Sequence, residues 1–293
     1  MIATTGFFDG VHSGHRLVIE RLVSLARERG DESLVVTFWP HPRAVLQDGA
    51  RELRLLNSLE EKKELLRSLG VDRIEVLDFT RSFAALTAEQ YLREILCDRF
   101  GVTTLLMGYD NRLGSDRLTA ASLKPIATSM GIELIELAPL SFRPSEASGE
   151  ISSTKIRAAL EDGDIAAANE MLGYGYALKG VVVAGNRLGR TIGFPTANMK
   201  LYEPLKLVPG RGVYVVEVEV LGRKYRGMTN IGLRPTVGGS FTTIETHILD
   251  FDEDIYGLPL RITFLRRLRD EVHFPSLEAL KRQLEKDRDC CRE

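Results

Sequence analysis

Cysteine is scarce in this chain of 293 residues: there are three, and their positions exclude two common uses. Cys97 falls within a helical pattern, whereas Cys290 and Cys291 are adjacent in a polar tail. Three cysteines without a CxxC spacing form neither a disulfide framework nor a zinc site. We therefore expect reduced thiols without a structural role.

Long apolar runs and an excess of one charge are also missing. No stretch approaches the roughly 20 apolar residues that span a bilayer, and no basic region followed by an apolar segment opens the sequence. Lys and Arg total 39 against 41 Asp and Glu, a net charge of −2, which favours neither nucleic acid nor an anionic membrane as a partner. We expect a soluble cytoplasmic protein whose 44% hydrophobic residues suffice for two domain cores.

A glycine-broken turn with two histidines, GFFDGVHSGH at residues 6–15, follows a short apolar run and precedes a helical pattern. A strand, a glycine turn and a helix N-terminus in this order favour a phosphate-binding site. His12 and His15 are one helical turn apart and can bind nucleotide phosphates, while Gly10 and Gly14 let the backbone approach a ligand. The alternative is that two histidines merely cap a helix.

Apolar runs alternate with helical patterns through the first half of the chain. We predict strands at residues 2–5, 34–38, 74–79, 103–107 and 132–138. This alternation is typical of a parallel sheet with helices on both faces, a Rossmann-like α/β fold. Ligands bind at the carboxyl edge of such a sheet, where residues 6–15, 39–42 and 108–114 should converge. In the last of these loops Asp110 and Asn111 are either ligand contacts or parts of a solvated turn.

The segment ISSTKIR at residues 151–157 leads from a polar stretch into another helix. Hydroxyls at Ser153 and Thr154 beside the cation of Arg157 are suited to bind an anion at a helix N-terminus. Ordinary helix capping is the alternative.

Beyond a linker at residues 173–176 the pattern changes to strands without intervening helices. We predict strands at residues 181–183, 213–221, 225–231, 243–249 and 260–264, followed by one helix that Ser276 caps. These features indicate an antiparallel β-barrel with a C-terminal helix. We expect an N-terminal domain of residues 1–172 and a C-terminal domain of residues 177–293.

The barrel opens with a glycine-rich segment that ends in GFPTAN. Gly185, Gly189 and Gly193 permit backbone N–H groups to approach phosphates, although glycine turns are also common in small barrels. Thr196 and Asn198 are two residues apart and can direct oxygen ligands at one Mg²⁺ that bridges phosphates.

A glutamate lies within the predicted strand of residues 243–249. Alternation puts Thr243, Glu245 and His247 on one face of that strand, and a charged side chain on the ligand face of a barrel requires a functional reason. The alternative is that Glu245 faces outward and forms an ion pair at the surface.

Four motifs occur in a fixed order: FDGVHxGH, SSTxIR, GFPTAN and ExHxLDF. Through them the chain resembles the bacterial bifunctional riboflavin kinase/FAD synthetases over nearly its whole length. The resemblance implies an N-terminal nucleotidylyltransferase domain that transfers AMP from ATP to FMN, and a C-terminal barrel that phosphorylates riboflavin to FMN. It implies riboflavin, FMN and ATP as small-molecule partners and Mg²⁺ as the cofactor.

The same resemblance assigns roles to individual residues. Glu245 becomes the base that accepts the proton of the ribityl hydroxyl, and His12 and His15 become catalytic in adenylyl transfer. The residues expected to bind ATP phosphates are Gly6, Phe8, Asp9, Gly10, Gly14, Ser153, Thr154, Arg157, Gly185, Gly189 and Gly193. Asp110 and Asn111 are expected to bind flavin, and Thr196 and Asn198 the metal.

The sequence also departs from the family pattern. Phe7 stands where a small or polar residue is common, Trp39 where an acidic one is, and Asn111 and Leu113 where aromatic residues are frequent. The last two raise the alternative of a riboflavin kinase with a lost or altered nucleotidylyltransferase domain. A third interpretation, a non-catalytic flavin carrier or nucleotide sensor, leaves Glu245 without a role.

Overall fold

The computed structural model describes residues 1–46, 53–108, 111–137, 151–185, 188–236 and 239–292. It divides into two compact units, Met1–Ser153 and Thr154–Glu293.

The first unit is built on one parallel sheet. Its strands are β1 (Ile2–Thr5), β2 (Ser33–Trp39), β3 (Arg73–Asp78), β4 (Thr104–Gly108) and β5 (Glu133–Leu137). Their order is β3-β2-β1-β4-β5, and each neighbouring pair is parallel. The predicted parallel sheet is confirmed. Its strand order reverses beside β1, and the crevice at such a reversal is the usual ligand site.

Helices cover both faces of this sheet. They are α1 (Ser13–Arg29), α2 (Pro42–Leu46), α3 (Leu59–Ser68), α4 (Arg81–Ala84), α5 (Ala88–Gln90), which continues as a π-helix (Tyr91–Arg99), and α6 (Ala120–Ser129). Consecutive strand residues point to opposite faces, so Ile2 packs with α1 and α3 while Ala3 packs with the π-helix and α6. Because both faces of the sheet are buried, the sequences of these strands are continuous apolar runs.

Local signals set the helix ends. Ser58 begins α3 with a capping box, in which its hydroxyl accepts from the backbone of Glu61 and the Glu61 carboxylate accepts from the backbone of Ser58. Gly30 ends α1 in a left-handed conformation with φ of 65°. Both ends carry residue types that favour them, a serine followed three residues later by glutamate and a glycine after the last helical residue.

The second unit starts in α7 (Ser153–Glu161) and α8 (Ile165–Leu172). Both helices are tied to a barrel: the backbone amide of Gly210 donates to the Leu160 carbonyl over 2.8 Å, and the Asn169 amide donates to the Phe264 carbonyl over 3.0 Å.

The barrel has six strands in the closed order β10-β7-β6-β11-β8-β9. They are β6 (Ala177–Val183), β7 (Ala197–Leu201), β8 (Gly212–Val220), β9 (Arg223–Thr236), β10 (Gly239–Ile248) and β11 (Pro259–Arg269). Each pair is antiparallel, so the predicted barrel is confirmed. A two-residue hairpin loop joins β8 and β9, with Val220 paired to Arg223.

The sequence analysis missed β7. Residues 197–201 were interpreted only as the end of a metal-binding loop, because Asn198 and Lys200 interrupt any apolar run. The strand alternates nevertheless, with Ala197 and Met199 buried, and it pairs with β6 and β10.

Two helices flank the barrel, the short α9 (Leu188–Thr191) and the C-terminal α10 (Leu277–Arg292). The Ser276 hydroxyl accepts from the backbone of Ala279, as predicted for a cap. Asp287 of α10, whose side chain is 5% exposed, accepts from the Arg269 guanidinium over 2.6 Å. This nearly buried ion pair holds the helix against β11.

Candidate active sites

The loop after β1 has an unusual backbone. Phe8, Gly10 and Val11 have φ of 53°, 82° and 38°, all in the left-handed region, and residues 9–11 form one 3-10 turn. Phe8 and Val11 are buried in the core, which holds these costly conformations in place. Turns of this kind direct successive N–H groups inward and make a concavity that suits an anion.

His12 and His15 are brought together at the start of α1. Their rings stack with centroids 3.6 Å apart and an interplanar angle of 18°. His12 is the N-cap residue: its Nδ1 accepts from the backbone N–H of His15 at 3.4 Å. Because Nδ1 is the acceptor, the proton of the neutral ring lies on Nε2, which is then available as a donor.

Both histidines are neutral near pH 7. Desolvation by burial lowers the pKa of His12 from 6.5 to about 4. Burial, reinforced by the charges of His12 and Lys62, also lowers the pKa of His15. Among the described residues, His15 Nδ1 is the one buried side-chain polar atom without a hydrogen-bond partner. A buried group in this state is suited to a ligand that completes its hydrogen bonding.

Two glycines of the motif are required by neighbouring rings. A Cβ on Gly14 would lie 3.3 Å from the His12 ring, and one on Gly6 would lie 3.0 Å from the Phe8 ring. Phe8 in turn packs edge-on against His15, with centroids 5.3 Å apart. The glycines thus permit the packing that fixes the histidines.

Asp9 connects this loop to two other segments. Its carboxylate accepts from the backbone N–H of Leu56 at 3.0 Å and of Asn57 at 3.4 Å. Its carbonyl accepts from the Ser153 hydroxyl at 2.9 Å, so Ser153 lies beside the histidine loop. Thr154 and Arg157 follow on the same helix, α7, within the second unit.

Aromatic side chains form a surface at the sheet edge beside the histidine loop. Phe7 lies nearly parallel to Trp39, with centroids 6.5 Å apart and an angle of 17°, and meets His41 edge-on at 4.2 Å. Asn111 is half-buried, and its backbone N–H donates to the Gly108 carbonyl, while Asp110 lies outside the described residues. The aromatic surface therefore comes from residues that the sequence analysis treated as departures.

In the barrel, Glu245 is flanked by two asparagines. It is the register partner of Asn198 on β7 and of Asn230 on β9. Residues directly opposite in an antiparallel pair share a face, with Cβ atoms about 4.5–5.5 Å apart. Glu245 and His247 are half-buried on this face, whereas Ile244 and Thr246 are buried on the other.

A pocket of about 570 Å³ lies between the Glu245 face and the segment around α10. Its polar lining includes Asn230, Glu245 and His247, and its apolar lining includes Phe194, Met228 and Leu280. Apolar walls with a few converging polar groups are typical of small-molecule sites. Glu245 therefore lines a pocket of small-molecule size and is half-buried.

A second pocket of about 270 Å³ lies on the other side of Thr196. It is lined by Arg190, Pro195 and the acidic segment of residues 252–254, among others. Thr196 lines both pockets.

The three glycines of the glycine-rich segment that ends in GFPTAN have distinct surroundings. A Cβ on Gly185 would lie 2.2 Å from Asn198 Nδ2, so the Asn198 side chain rests directly on the Gly185 backbone. A Cβ on Gly189 would lie 2.1 Å from the Phe194 carbonyl oxygen, and Gly193 has a positive φ of 84°.

His247 fixes the segment that carries Thr196. Its Nδ1 lies 2.8 Å from the Pro195 carbonyl, and since a carbonyl only accepts, Nδ1 is the donor. The ring also packs on Phe194, with centroids 5.1 Å apart. Burial lowers the pKa of His247, which favours the neutral ring.

The donor set around Thr196 and Asn198 suits a magnesium ion that phosphates help to bind. The described residues contain no cluster of three His, Cys, Asp or Glu side chains placed to hold a metal. A hydroxyl and an amide oxygen are hard but uncharged ligands, and Mg²⁺ bound by few protein groups is usually completed by substrate phosphates and water. The residues present therefore fit Mg²⁺ bound together with a nucleotide.

Comparison with known proteins also separates an N-terminal part of the chain from a C-terminal part. Residues 1–155 match the FAD synthetase family, and residues 172–293 match the riboflavin kinase family. The chain is 37% identical to the bifunctional riboflavin kinase/FMN adenylyltransferase of Listeria monocytogenes over 98% of its length and 90% of the relative. The chain belongs to the bifunctional riboflavin kinase/FMN adenylyltransferase family.

Other relatives support this membership. The family member from Escherichia coli strain K12 is 38% identical over 100% of this chain and 92% of its own length. A crystal structure from Streptococcus pneumoniae, described as a macrolide-efflux protein, is 34% identical and superposes with a TM-score of 0.92, covering 100% of this chain and 93% of that one. Within the part of the present chain that is described, no helix is both long and apolar enough to cross a membrane.

Proposed function

We propose how the two units carry out the two reactions of the family. The protein is a transferase that phosphorylates riboflavin to FMN with ATP and then transfers AMP from ATP to FMN, releasing pyrophosphate. Glu245, between Asn198 and Asn230 in the wall of the large barrel pocket, is the observation that carries the kinase assignment. The match to the FAD synthetase family over residues 1–155 argues against a kinase that has lost its first activity.

In the kinase reaction, the 570 Å³ pocket holds riboflavin and the 270 Å³ pocket holds the nucleoside of ATP. The apolar walls of the larger pocket suit the isoalloxazine ring, and the acidic rim of the smaller one can accept hydrogen bonds from ribose hydroxyls. Thr196 lines both pockets and Glu245 lines the larger one, which supports a γ-phosphate bound near Glu245. The oxygen of the ribityl hydroxyl attacks the γ-phosphorus while Glu245 takes the proton of that hydroxyl. ADP leaves with the bridging oxygen.

Thr196 and Asn198 hold Mg²⁺ in this proposal. An ion held by these two residues would neutralise phosphate charge during phosphoryl transfer. The chain's own part is to position the two oxygens: Asn198 is fixed by β7 and the Gly185 backbone, and Thr196 by the His247 contact to Pro195. Gly185, Gly189 and Gly193 bring backbone to the phosphates around this point.

In adenylyl transfer, a phosphate oxygen of FMN attacks the α-phosphorus of ATP, and pyrophosphate leaves with the bridging oxygen. His12 and His15 bind the phosphates as neutral donors from the histidine loop, together with the backbone of Gly6, Phe8, Asp9, Gly10 and Gly14. Ser153, Thr154 and Arg157 are the further predicted phosphate contacts, Ser153 through its backbone N–H because its hydroxyl donates to the Asp9 carbonyl. Donors that are fixed before the reaction stabilise developing charge without reorganisation.

The FMN of this second reaction stacks on the aromatic surface of Phe7 and Trp39, and Asp110 and Asn111 stay predicted flavin contacts. The surface borders the histidine loop, since Phe7 belongs to it. It supplies the aromatic platform that Asn111 and Leu113 do not.

Two wider predictions accompany these roles. We place the adenylyltransferase domain at residues 1–172 and the kinase domain at residues 177–293. We also place the protein in the cytoplasm, where ATP is available for both reactions.

The deciding experiment is to incubate the purified full-length protein with riboflavin and Mg·ATP and to identify the flavins formed. FMN followed by FAD supports both assignments. FMN alone would restrict the proposal to the kinase, and no turnover would contradict it.

A further inference from the structure

One cation lies beneath the histidine loop. Lys62 of α3 is 0% exposed, and its Nζ lies 3.5 Å from the centroid of the Phe7 ring. The same Nζ donates to Thr37 Oγ1 at 3.4 Å, and the Thr37 hydroxyl donates to the Phe7 carbonyl at 3.2 Å. Lys62 therefore contacts the Phe7 ring directly and is linked to the Phe7 backbone through the Thr37 hydroxyl.

The ammonium group of Lys62 has little hydrogen bonding for a buried charge. Lysine has three N–H donors, and among the described residues Lys62 uses one of them, in a single long bond. Its remaining stabilisation comes from the Phe7 ring and from the negative charge of Asp9. A buried cation with unused donors is costly unless a ligand compensates it.

The histidine loop itself supplies no full positive charge. His12 and His15 are neutral near pH 7, so they donate hydrogen bonds to phosphates but contribute no full positive charge. Lys62 is close enough to His15 for its charge to depress the pKa of that histidine. Buried charges interact strongly because little water screens them.

We infer that Lys62 is a positioning and electrostatic residue of the adenylyl-transfer site, holding the histidine loop through Phe7 and stabilising negative charge on the ATP phosphates. This inference rests on the proposed role of His12 and His15. Nothing in the sequence pattern marks Lys62, which lies between Glu61 and Lys63 on an ordinary amphipathic helix.

The burial of Lys62 gives the proposal a pH signature. Desolvation lowers the pKa of Lys62 from 10.5 to about 7, partly opposed by Asp9. Its charge is thus present below about pH 7 and lost as the pH rises. The other titratable groups around it are Asp9, His12, His15, His41 across the Phe7 ring, and Glu61 on its own helix, whose carboxylate accepts from the Ser58 backbone.

The test is the pH profile of kcat/KM for ATP in conversion of supplied FMN to FAD, a quantity that reports groups of the free enzyme. In the wild-type protein the profile should fall on the alkaline side above about pH 7. Lys62→Met keeps the length of the side chain without its charge. It should lower kcat/KM by roughly 10²–10³ at pH 6.5, the usual loss for one well-placed electrostatic group, and should flatten the alkaline side.

Lys63→Met is the matched control, because Lys63 is the next residue on the helix and pairs with Glu60 at the surface. It should leave the profile unchanged. Lys62→Arg, whose charge persists at high pH, should move the alkaline fall upward if the larger group is accommodated. Thermal unfolding of each variant, followed by circular dichroism, reports whether the unit that contains Lys62 is folded.

Three outcomes would overturn the inference: near wild-type kcat/KM in Lys62→Met, an equal loss in Lys63→Met, or an unchanged alkaline fall in Lys62→Met. If wild-type protein makes no FAD, the proposed first activity itself fails. Wild-type FAD synthesis with a fully active Lys62→Met rejects only the role of Lys62.

Discussion

Glu245 on β10 and Asn198 on β7 are direct partners across two neighbouring barrel strands. The proposed base and a proposed metal ligand therefore share one face and one register. A shift of one residue in this pairing would turn one of them to the opposite face. The geometry of the kinase site thus depends on the strand register of the barrel.

Glu245→Gln should abolish most riboflavin phosphorylation while leaving the conversion of supplied FMN to FAD intact. The substitution keeps the shape of the side chain and removes its ability to accept a proton, which typically costs ~10²–10⁴ in rate. Chromatographic measurement of FMN and FAD separates the two reactions. Glu217→Gln, at a surface ion pair on β8, is the control. Near wild-type FMN formation by Glu245→Gln contradicts the assignment.

Asn198→Ala should shift the Mg²⁺ dependence of riboflavin phosphorylation to higher concentration. Loss of a group that supports a bound metal typically costs about 10- to 100-fold in affinity or activity. Gly185→Ala should have a similar effect, since its new methyl group would displace the Asn198 amide. Titration of activity with Mg²⁺ at saturating ATP measures the shift. Lys200→Ala, an exposed position on the same strand, should not change it.

His247→Leu should raise KM for Mg·ATP in the kinase reaction by about 2- to 10-fold, with little change in KM for ATP in adenylyl transfer. The reason is the loss of one hydrogen bond, to the Pro195 carbonyl beside Thr196, which is worth about 0.5–1.5 kcal/mol. His247→Asn retains a donor and should recover part of the loss. Equal effects of the Leu and Asn substitutions would show that packing on Phe194, not the hydrogen bond, is what matters.

His15→Ala should make the protein accumulate FMN and form little FAD. Removal of one well-placed donor to developing charge costs roughly 10²–10³ in rate, and the barrel reaction does not use this residue. The double variant with Glu245→Gln should perform neither reaction. Unimpaired FAD synthesis by His15→Ala rejects the proposed role, whereas equal loss of both products indicates a folding defect.

Trp39→Ala should raise KM for FMN in adenylyl transfer by about 2- to 10-fold, because aromatic contacts contribute about 0.5–1.5 kcal/mol beyond burial. Trp39→Phe should largely preserve the KM. Riboflavin phosphorylation provides the internal control. An unchanged KM for FMN in Trp39→Ala would place the isoalloxazine ring elsewhere.

Repeating apolar runs and capping residues predicted most of the fold. The five parallel strands and the change to an antiparallel barrel follow from periodicity over short segments, and the cap at Ser276 follows from its residue type. Strand β7 was missed because its polar residues face a site, so the usual apolar signal is weak there.

The motifs likewise predicted which segments bear the candidate chemistry. His12 and His15 are neighbours within one helical turn, so their sequence spacing was enough to bring them together. The spacing could not predict that both histidines are neutral. Their pKa values depend on burial in the folded protein.

The sequence by itself determined the order of the two folds and the residue types placed at their turns, because both arise from local patterns. Only the tertiary structure decided that Glu245 lies between Asn198 and Asn230, that Phe7 lies beside Trp39, and that Lys62 lies under Phe7. These neighbours are far apart in the chain. Strand register and the packing of α3 under the sheet edge bring them together, and the charge and reactivity of each group depend on that packing.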